Sequence, residues 1–202
     1  MRSNVAAVIA LLHEHAANHS AEHYYRTRSL VPRTLEERAA RVIYMNKTCF
    51  NGLYRENRRG EFNVPIGDYV NPNICDEPNL RACSRALQPV VARQESFESV
   101  LGAARAGDLV YFDPPYVPLS ETSSFTAYAR DGFDATNQQH LADVFRELDR
   151  LGALVMLSNS STPLVKQLYC TFPTREVMAR RSVNSKGNRR GDVPELIVTN
   201  FR

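Results

Sequence analysis

Leu109-Val110-Tyr111-Phe112 is a short apolar, β-prone run that stops abruptly at Asp113-Pro114-Pro115-Tyr116. Proline locks φ and lacks an N–H, and the first of the pair also holds the aspartate before it in extended backbone. A strand must therefore end here, in a rigid turn that presents a carboxyl group, two carbonyls and an aromatic ring. The surrounding segments alternate between helix and strand. Residues 79–87 read as a helix, 90–93 as a short strand and 96–104 as a helix. Thr136 is the expected cap of a helix through Leu141, Val144, Phe145 and Leu148, and Ala153–Leu157 is the next strand, finishing at Ser158-Asn159-Ser160. A helix at 161–170 and strands near 174–180 and 194–201 complete the chain. Short unbroken β runs alternating with helices predict an α/β fold with a mainly parallel sheet. Ligands of such sheets sit beyond the carboxyl ends of the strands, which is where Asp113 and Ser158 fall.

The first 78 residues have a different texture. Val5, Val8, Ile9, Leu12 and Ala16 lie on one helical stripe. A loop or short helix follows at 18–33. Thr34 with Glu37 then forms a capping-box pattern that opens a helix to about residue 47, with Leu35, Ala39, Val42, Ile43 and Met45 as expected buried positions. Residues 48–75 are rich in Arg, Asn and aromatics and carry turn signals at Asn51-Gly52 and Arg59-Gly60. They predict a projecting hairpin, with one arm at 60–64 closed by Pro65 and Gly67, too polar for a core. The expected division is thus 1–78, helical and hairpin, and 79–202, α/β.

Composition removes other classes. Of 202 residues 43% are hydrophobic and 23% charged, which excludes global disorder, and the net charge of +3 is too small to identify a partner by itself. No apolar stretch approaches the roughly 18 residues of a membrane span. Cys49, Cys75, Cys83 and Cys170 form no metal-binding spacing, so reduced thiols of a cytoplasmic protein are expected. His15, His19 and His23 recur at every fourth position. On one continuous helix the outer two would stand ~12 Å apart, and a solvated face is the expectation rather than a metal site.

The turn at Asp113 suits chemistry on a planar amine. The lone pair of an exocyclic amine is delocalised into its ring, and acceptors at its two N–H bonds draw it toward a tetrahedral, nucleophilic form. The Asp113 carboxylate and the Pro114 carbonyl can accept those bonds while Tyr116 stacks on the ring. Asp113-Pro114-Pro115-Tyr116 resembles the catalytic tetrapeptide of the amino-methyltransferases. Residues 46–67 (NKTCFNGLYRENRRGEFNVPIG), the segment Ser124–Tyr128 followed by Phe133 and Gln138, and the stretch from Arg181 through Gly187 to Glu195-Leu196 resemble, in order, the Dam-type (D12 class) DNA adenine-N6 methyltransferases.

That resemblance implies a Rossmann-like S-adenosylmethionine-dependent methyltransferase fold with a helical and β-hairpin DNA-recognition domain. It also implies methyl transfer from S-adenosylmethionine to an adenine flipped out of double-stranded DNA at a GATC-like site. Asp113, Pro114, Pro115 and Tyr116 match the catalytic turn, and Asp113 with Phe97 would contact the cofactor. Asn51, Leu53, Arg55 and Asn57 match the DNA-contact stretch. Arg55 suits bidentate binding of guanine, Leu53 and Pro65 suit a thymine methyl, and Arg58, Arg59, Lys186 and Arg189 suit phosphates. The family's N-terminal glycine-rich cofactor segment has no counterpart here, since the first glycine is Gly52. The expectation is an N-terminally truncated sheet whose bare edge pairs with a second copy or with a missing N-terminal complement. Two other readings stay open: a DNA-binding fragment without catalysis, and a methyltransferase acting on another amine.

Overall fold

The computed structural model describes residues 2–57, 59–118, 133–180 and 192–202. The chain divides into two compact units, residues 1–93 and 94–202.

In the first unit, α1 (Val5–Ala17) starts on the Asn4 side chain and buries Val8, Ile9 and Leu12. The next segment is helical: α2 (Ala21–Ser29) is capped by Ser20. α3 (Leu35–Thr48) opens with the expected capping box, in which Thr34 Oγ1 accepts from the Glu37 N–H and the Glu37 carboxylate accepts from the Thr34 N–H. Its buried face differs from the expected stripe. Met45 is buried as expected and Ala39 and Ile43 pack at the margin of the core, but Ala40, Tyr44 and Thr48 are also inside, whereas Leu35 and Val42 are exposed. The Tyr44 ring buries more apolar area than Val42 can, provided that its hydroxyl finds a partner. His19 Nδ1 supplies one at 2.9 Å.

α4 (Glu77–Ala86) is capped by Asp76 and lays Leu80 into the same core. It packs against α1, so the first unit runs on to Arg93 rather than ending at residue 78. No strand forms at 90–93. The Val90 N–H closes a turn on the Leu87 carbonyl, and both valines are exposed, because a run of that length is not a strand without a neighbour to pair with.

The hairpin is built from two isolated bridges, Glu56 with Phe62 and Cys49 with Ile66. Its tip is polar as expected, but its base is not outside the core: Phe62 and Val64 are buried with α1 and α3. The alternation in residues 60–64 is thus an amphipathic arm.

The second unit is a four-stranded sheet. β1 (Leu109–Phe112), β2 (Leu154–Ser160), β3 (Thr174–Arg180) and β4 (Asp192–Thr199) stand in the order β1-β2-β4-β3. β1 is parallel to β2, and β4 is antiparallel to both β2 and β3, so three strands share one direction. This is the mixed α/β architecture that the sequence predicts, but the sheet is not mainly parallel: two of its three pairings are antiparallel, because β4 inserts between β2 and β3 and runs against both. α5 (Val100–Ala103) is shorter than expected because the first turn of that segment, Phe97–Ser99, is 3-10.

α6 (Ala135–Arg150) is capped by Asp134, not Thr136; the Asp134 side chain accepts from the Asn137 N–H at 2.9 Å. Its inner stripe of Leu141, Val144, Phe145 and Leu148 packs on Val155, Leu157, Leu196 and Val198. α7 (Pro163–Leu168) adds Val165 and Leu168. This core holds β1 beside β2 and so places their carboxyl ends side by side.

Candidate active site and nucleic-acid interface

Phe112 pairs with Leu157 across the parallel ladder, and Tyr111 with Met156. Side chains alternate along a strand. Tyr111 and, one pleat further, Asp113 therefore share a face with Met156 and Ser158, while Leu157 and Asn159 point to the face covered by α6. Each face contributes a different hold on the turn.

On the first face the Ser158 hydroxyl donates to Asp113 Oδ1 at 3.0 Å. With its proton committed there, Ser158 Oγ accepts from the Tyr111 hydroxyl at 2.8 Å. Asp113 is exposed, and its Oδ2 takes no hydrogen bond among the described residues. The carboxylate is thus steered through one oxygen and open at the other. Tyr116 is half-buried, with its hydroxyl 3.5 Å from Glu195 Oε2. Burial raises the pKa of this phenol, the charges of Glu195 and Asp113 add to the rise, and a hydrogen bond with Ser158 opposes it. The ring therefore stays neutral at physiological pH.

On the second face two amides hold the backbone of the turn. Asn159 Oδ1 accepts from the Val117 N–H at 3.1 Å, Asn159 Nδ2 donates to Gln138 Oε1 at 3.0 Å, and Gln138 Nε2 donates to the Pro115 carbonyl at 2.9 Å. Both side chains are fully enclosed, Asn159 at 0% and Gln138 at 1% exposure. Phe97 is half-buried elsewhere in this unit, edge-on to Phe133 at 5.9 Å and to His140 at 5.5 Å, and none of its described contacts reaches Asp113.

The hairpin carries a separate set of polar groups. Arg55 is exposed; its Nε donates to Asn63 Oδ1 at 2.7 Å and its Nη2 to the Asn63 carbonyl at 3.3 Å, and its Nη1 makes no hydrogen bond among the described residues. The Asn57 side chain is committed to the loop itself: its Oδ1 accepts from the N–H groups of Arg59 and Glu61, and its Nδ2 donates to Glu61 at 2.7 Å. Asn51 is exposed in a left-handed conformation, φ 54°, at the tight turn before Gly52. Leu53 packs at the margin of the first core, while Pro65 and Arg59 are exposed. Arg58, Lys186 and Arg189 lie outside the described residues.

The sequence profile of the D12 class N6 adenine-specific DNA methyltransferases matches residues 2–183. The chain belongs to that family. It is 43% identical over 209 residues to a type II methyltransferase of Lactococcus lactis subsp. cremoris, covering all of this chain and 74% of the relative. A type II methyltransferase of Methanocaldococcus jannaschii is 44% identical over 187 residues, covering 89% of this chain and 65% of the relative. The DNA adenine methylase of Escherichia coli is 37% identical over 180 residues, covering 88% of this chain and 64% of the relative. The chain thus spans about two thirds of the length of these relatives.

Membership in the family implies use of S-adenosylmethionine. Asp113, one of whose carboxylate oxygens takes no hydrogen bond among the described residues, and the half-buried Phe97 are the residues expected to contact it. No helix among the described residues is long and apolar enough to cross a membrane. Nor is any group of three His, Cys, Asp or Glu side chains arranged to hold a metal ion.

Sequence reasoning named the turn but missed the groups that hold it, Tyr111, Gln138, Ser158 and Asn159, as supports. One signal was present. Gln138 lies on the same stripe of α6 as Leu141 and Phe145, and a polar residue at a core position needs a buried partner. The histidines at 15, 19 and 23 do not share one helix, because the chain turns between α1 and α2. His15 Nδ1 and His23 Nε2 are 2.9 Å apart, and both rings pack on Tyr44.

Proposed function

We propose that this chain methylates N6 of an adenine extruded from double-stranded DNA, using S-adenosylmethionine. The single observation that carries the reading is the turn at the end of β1, where Asp113 is anchored by Ser158 through one oxygen and, among the described residues, open at the other. S-adenosylmethionine supplies an electrophilic methyl group on a sulfonium. Asp113 Oδ2 and the Pro114 carbonyl accept the two N–H bonds of the target amine, which localises its lone pair for attack. The N–C bond forms as the S–CH3 bond breaks, so the donor would leave as a neutral thioether; the nitrogen becomes cationic and releases one proton to solvent, with the acceptors stabilising the charge that develops. Tyr116 provides a neutral stacking surface that offsets the few kcal/mol lost when the base leaves the duplex. Asp113 and Phe97 are the described residues that would hold the donor.

DNA is read by the hairpin. Arg55, pre-oriented by Asn63, addresses guanine in a GATC-like site, a contact worth about 1–3 kcal/mol of discrimination. Leu53 and Pro65 offer apolar contact, and Asn51 and Asn57 complete the contact stretch. Arg58 and Arg59, with Lys186 and Arg189, neutralise phosphates. A second partner is another copy of the chain, pairing with the outer edge of β1. That edge has no partner strand among the described residues, and Leu109 and Tyr111 are exposed on it. Free thiols at all four cysteines and the DNA substrate favour a cytoplasmic location.

Radiolabelled methyl transfer to duplexes with cognate and scrambled sites tests the reading. Asp113→Ala is expected to abolish transfer while duplex binding persists, and Arg55→Ala to erase preference among sites. Equal methylation of cognate and scrambled duplexes by the wild type would refute the hairpin as reader.

A further inference from the structure

Resting on the methyl-transfer reading, we infer that Gln138 and Asn159 are positioning residues that set the backbone of Tyr116, and with it the plane on which the target base stacks. The two backbone groups they hold, the Pro115 carbonyl and the Val117 N–H, belong to the two peptide units that flank the Tyr116 Cα. Fixing both restrains φ and ψ of that one residue.

The direction of the relay follows from its ends. The Val117 N–H can only donate, so Asn159 presents its oxygen there and its NH2 to Gln138. The Pro115 carbonyl can only accept, so Gln138 presents its NH2 there and its oxygen to Asn159. Asn159 Oδ1 also takes the Ser160 N–H at 2.8 Å, which ties the relay to the end of β2. Position 138 must therefore supply one acceptor and one donor from a side chain of this length. Among ordinary side chains of that shape only a primary amide does so at every pH. A glutamate at 138 would set its carboxylate against the Pro115 carbonyl oxygen. Protonated, it would donate its O–H to Pro115 and accept from Asn159 through its remaining oxygen, restoring the grip.

The test is the pH profile of Gln138→Glu in the full chain, taken as a ratio to wild type at each pH. Near pH 8 turnover should fall roughly ten- to a hundredfold, the scale expected of a misplaced reacting group, with KM for duplex unchanged. The ratio should climb back toward one by about pH 5.5, since burial raises the pKa of a carboxyl group. Gln138→Met, of equal length but without either bond, should stay low at every pH. A Gln138→Glu ratio that is flat across pH overturns the inference. Should that variant fail to fold, Gln138→Met decides: reduced kcat at unchanged KM supports it, and unchanged kcat overturns it.

Amide hydrogen exchange at Val117, measured on the same samples, separates the inference from the activity reading. If wild type methylates no adenine-containing duplex, yet Val117 loosens in Gln138→Glu near pH 8 and tightens near pH 5.5, the methyl-transfer reading falls and the grip on the turn stands. Val117 protection equal to wild type at both pH values overturns the grip itself.

Discussion

Acidification from pH 7.5 to 5.5 should loosen the first unit through the histidines between α1 and α2. The Arg26 guanidinium has no acceptor, so its contact at 2.9 Å with His23 Nδ1 makes that nitrogen the acceptor. His23 then carries its proton on Nε2 and donates to His15 Nδ1 at 2.9 Å. Both rings must be neutral for this chain to hold. Burial lowers the pKa of His15, with His23 adding to the effect; burial also lowers that of His23, with Arg26 and His19 adding. Glu14 opposes both shifts, and Tyr44, whose pKa burial pushes up to about 12, stays neutral beneath the rings.

With folded values below the unfolded one, the unfolded chain takes up protons first. The stabilisation is therefore complete above about pH 6.5 and is lost as pH falls through the lowered folded values. Protonating the pair removes one N–H···N bond, a net loss of about 1 kcal/mol. For a unit of this size that is a fall in Tm of about 4–8 °C. Thermal unfolding followed by tyrosine near-ultraviolet circular dichroism, at steps across this range, measures it. His15→Phe keeps a ring stacked on Tyr44, where the rings now lie 4.6 Å apart and 14° from parallel, and removes the His15 titration and the N–H···N bond while leaving that of His23, so the fall should be shallower than in wild type. Equal steepness in variant and wild type, or no fall in wild type, would refute the assignment.

Ser158→Ala should lower kcat by roughly tenfold with duplex binding intact, because a bond to an exposed carboxylate lies at the low end of the charge-assisted range; single-turnover methylation checks it. Phe145→Ala, which empties a fully buried site edged by Tyr169 and Phe172, should cost about 3–5 kcal/mol in denaturant unfolding. Gly67→Ala would place a Cβ 2.8 Å from the Cys49 carbonyl and against the Tyr69 ring, so the base of the hairpin must shift. A loss of about 1–3 kcal/mol is expected in the same assay.

The elements most legible in the chain were those whose cause is local. The capping box at Thr34 and Glu37, the proline stop after Phe112 and the apolar stripe of α6 depend on residues a few positions apart, and each appears where those residues stand. The run at 90–93 has comparable β character and stays irregular, since a strand needs a pairing ladder and none of the strands among the described residues includes it. Leu35 and Val42 look apolar enough for a core but lie outside. Tyr44 occupies it once His19, twenty-five residues earlier, satisfies its hydroxyl.

The site divides in the same way. Asp113, Pro114, Pro115 and Tyr116 are contiguous, and their stiffness follows from two proline rings; the sequence alone determined that a rigid turn would present them. Their supports come from Tyr111, Gln138, Ser158 and Asn159, which only the parallel register of β1 with β2 and the seating of α6 on the sheet bring together. The stripe of α6 marks Gln138 as buried but carries no sign of its partner: that the amide meets the Pro115 carbonyl is decided by where the helix lands, and that depends on packing of the whole core rather than on any local run of residues.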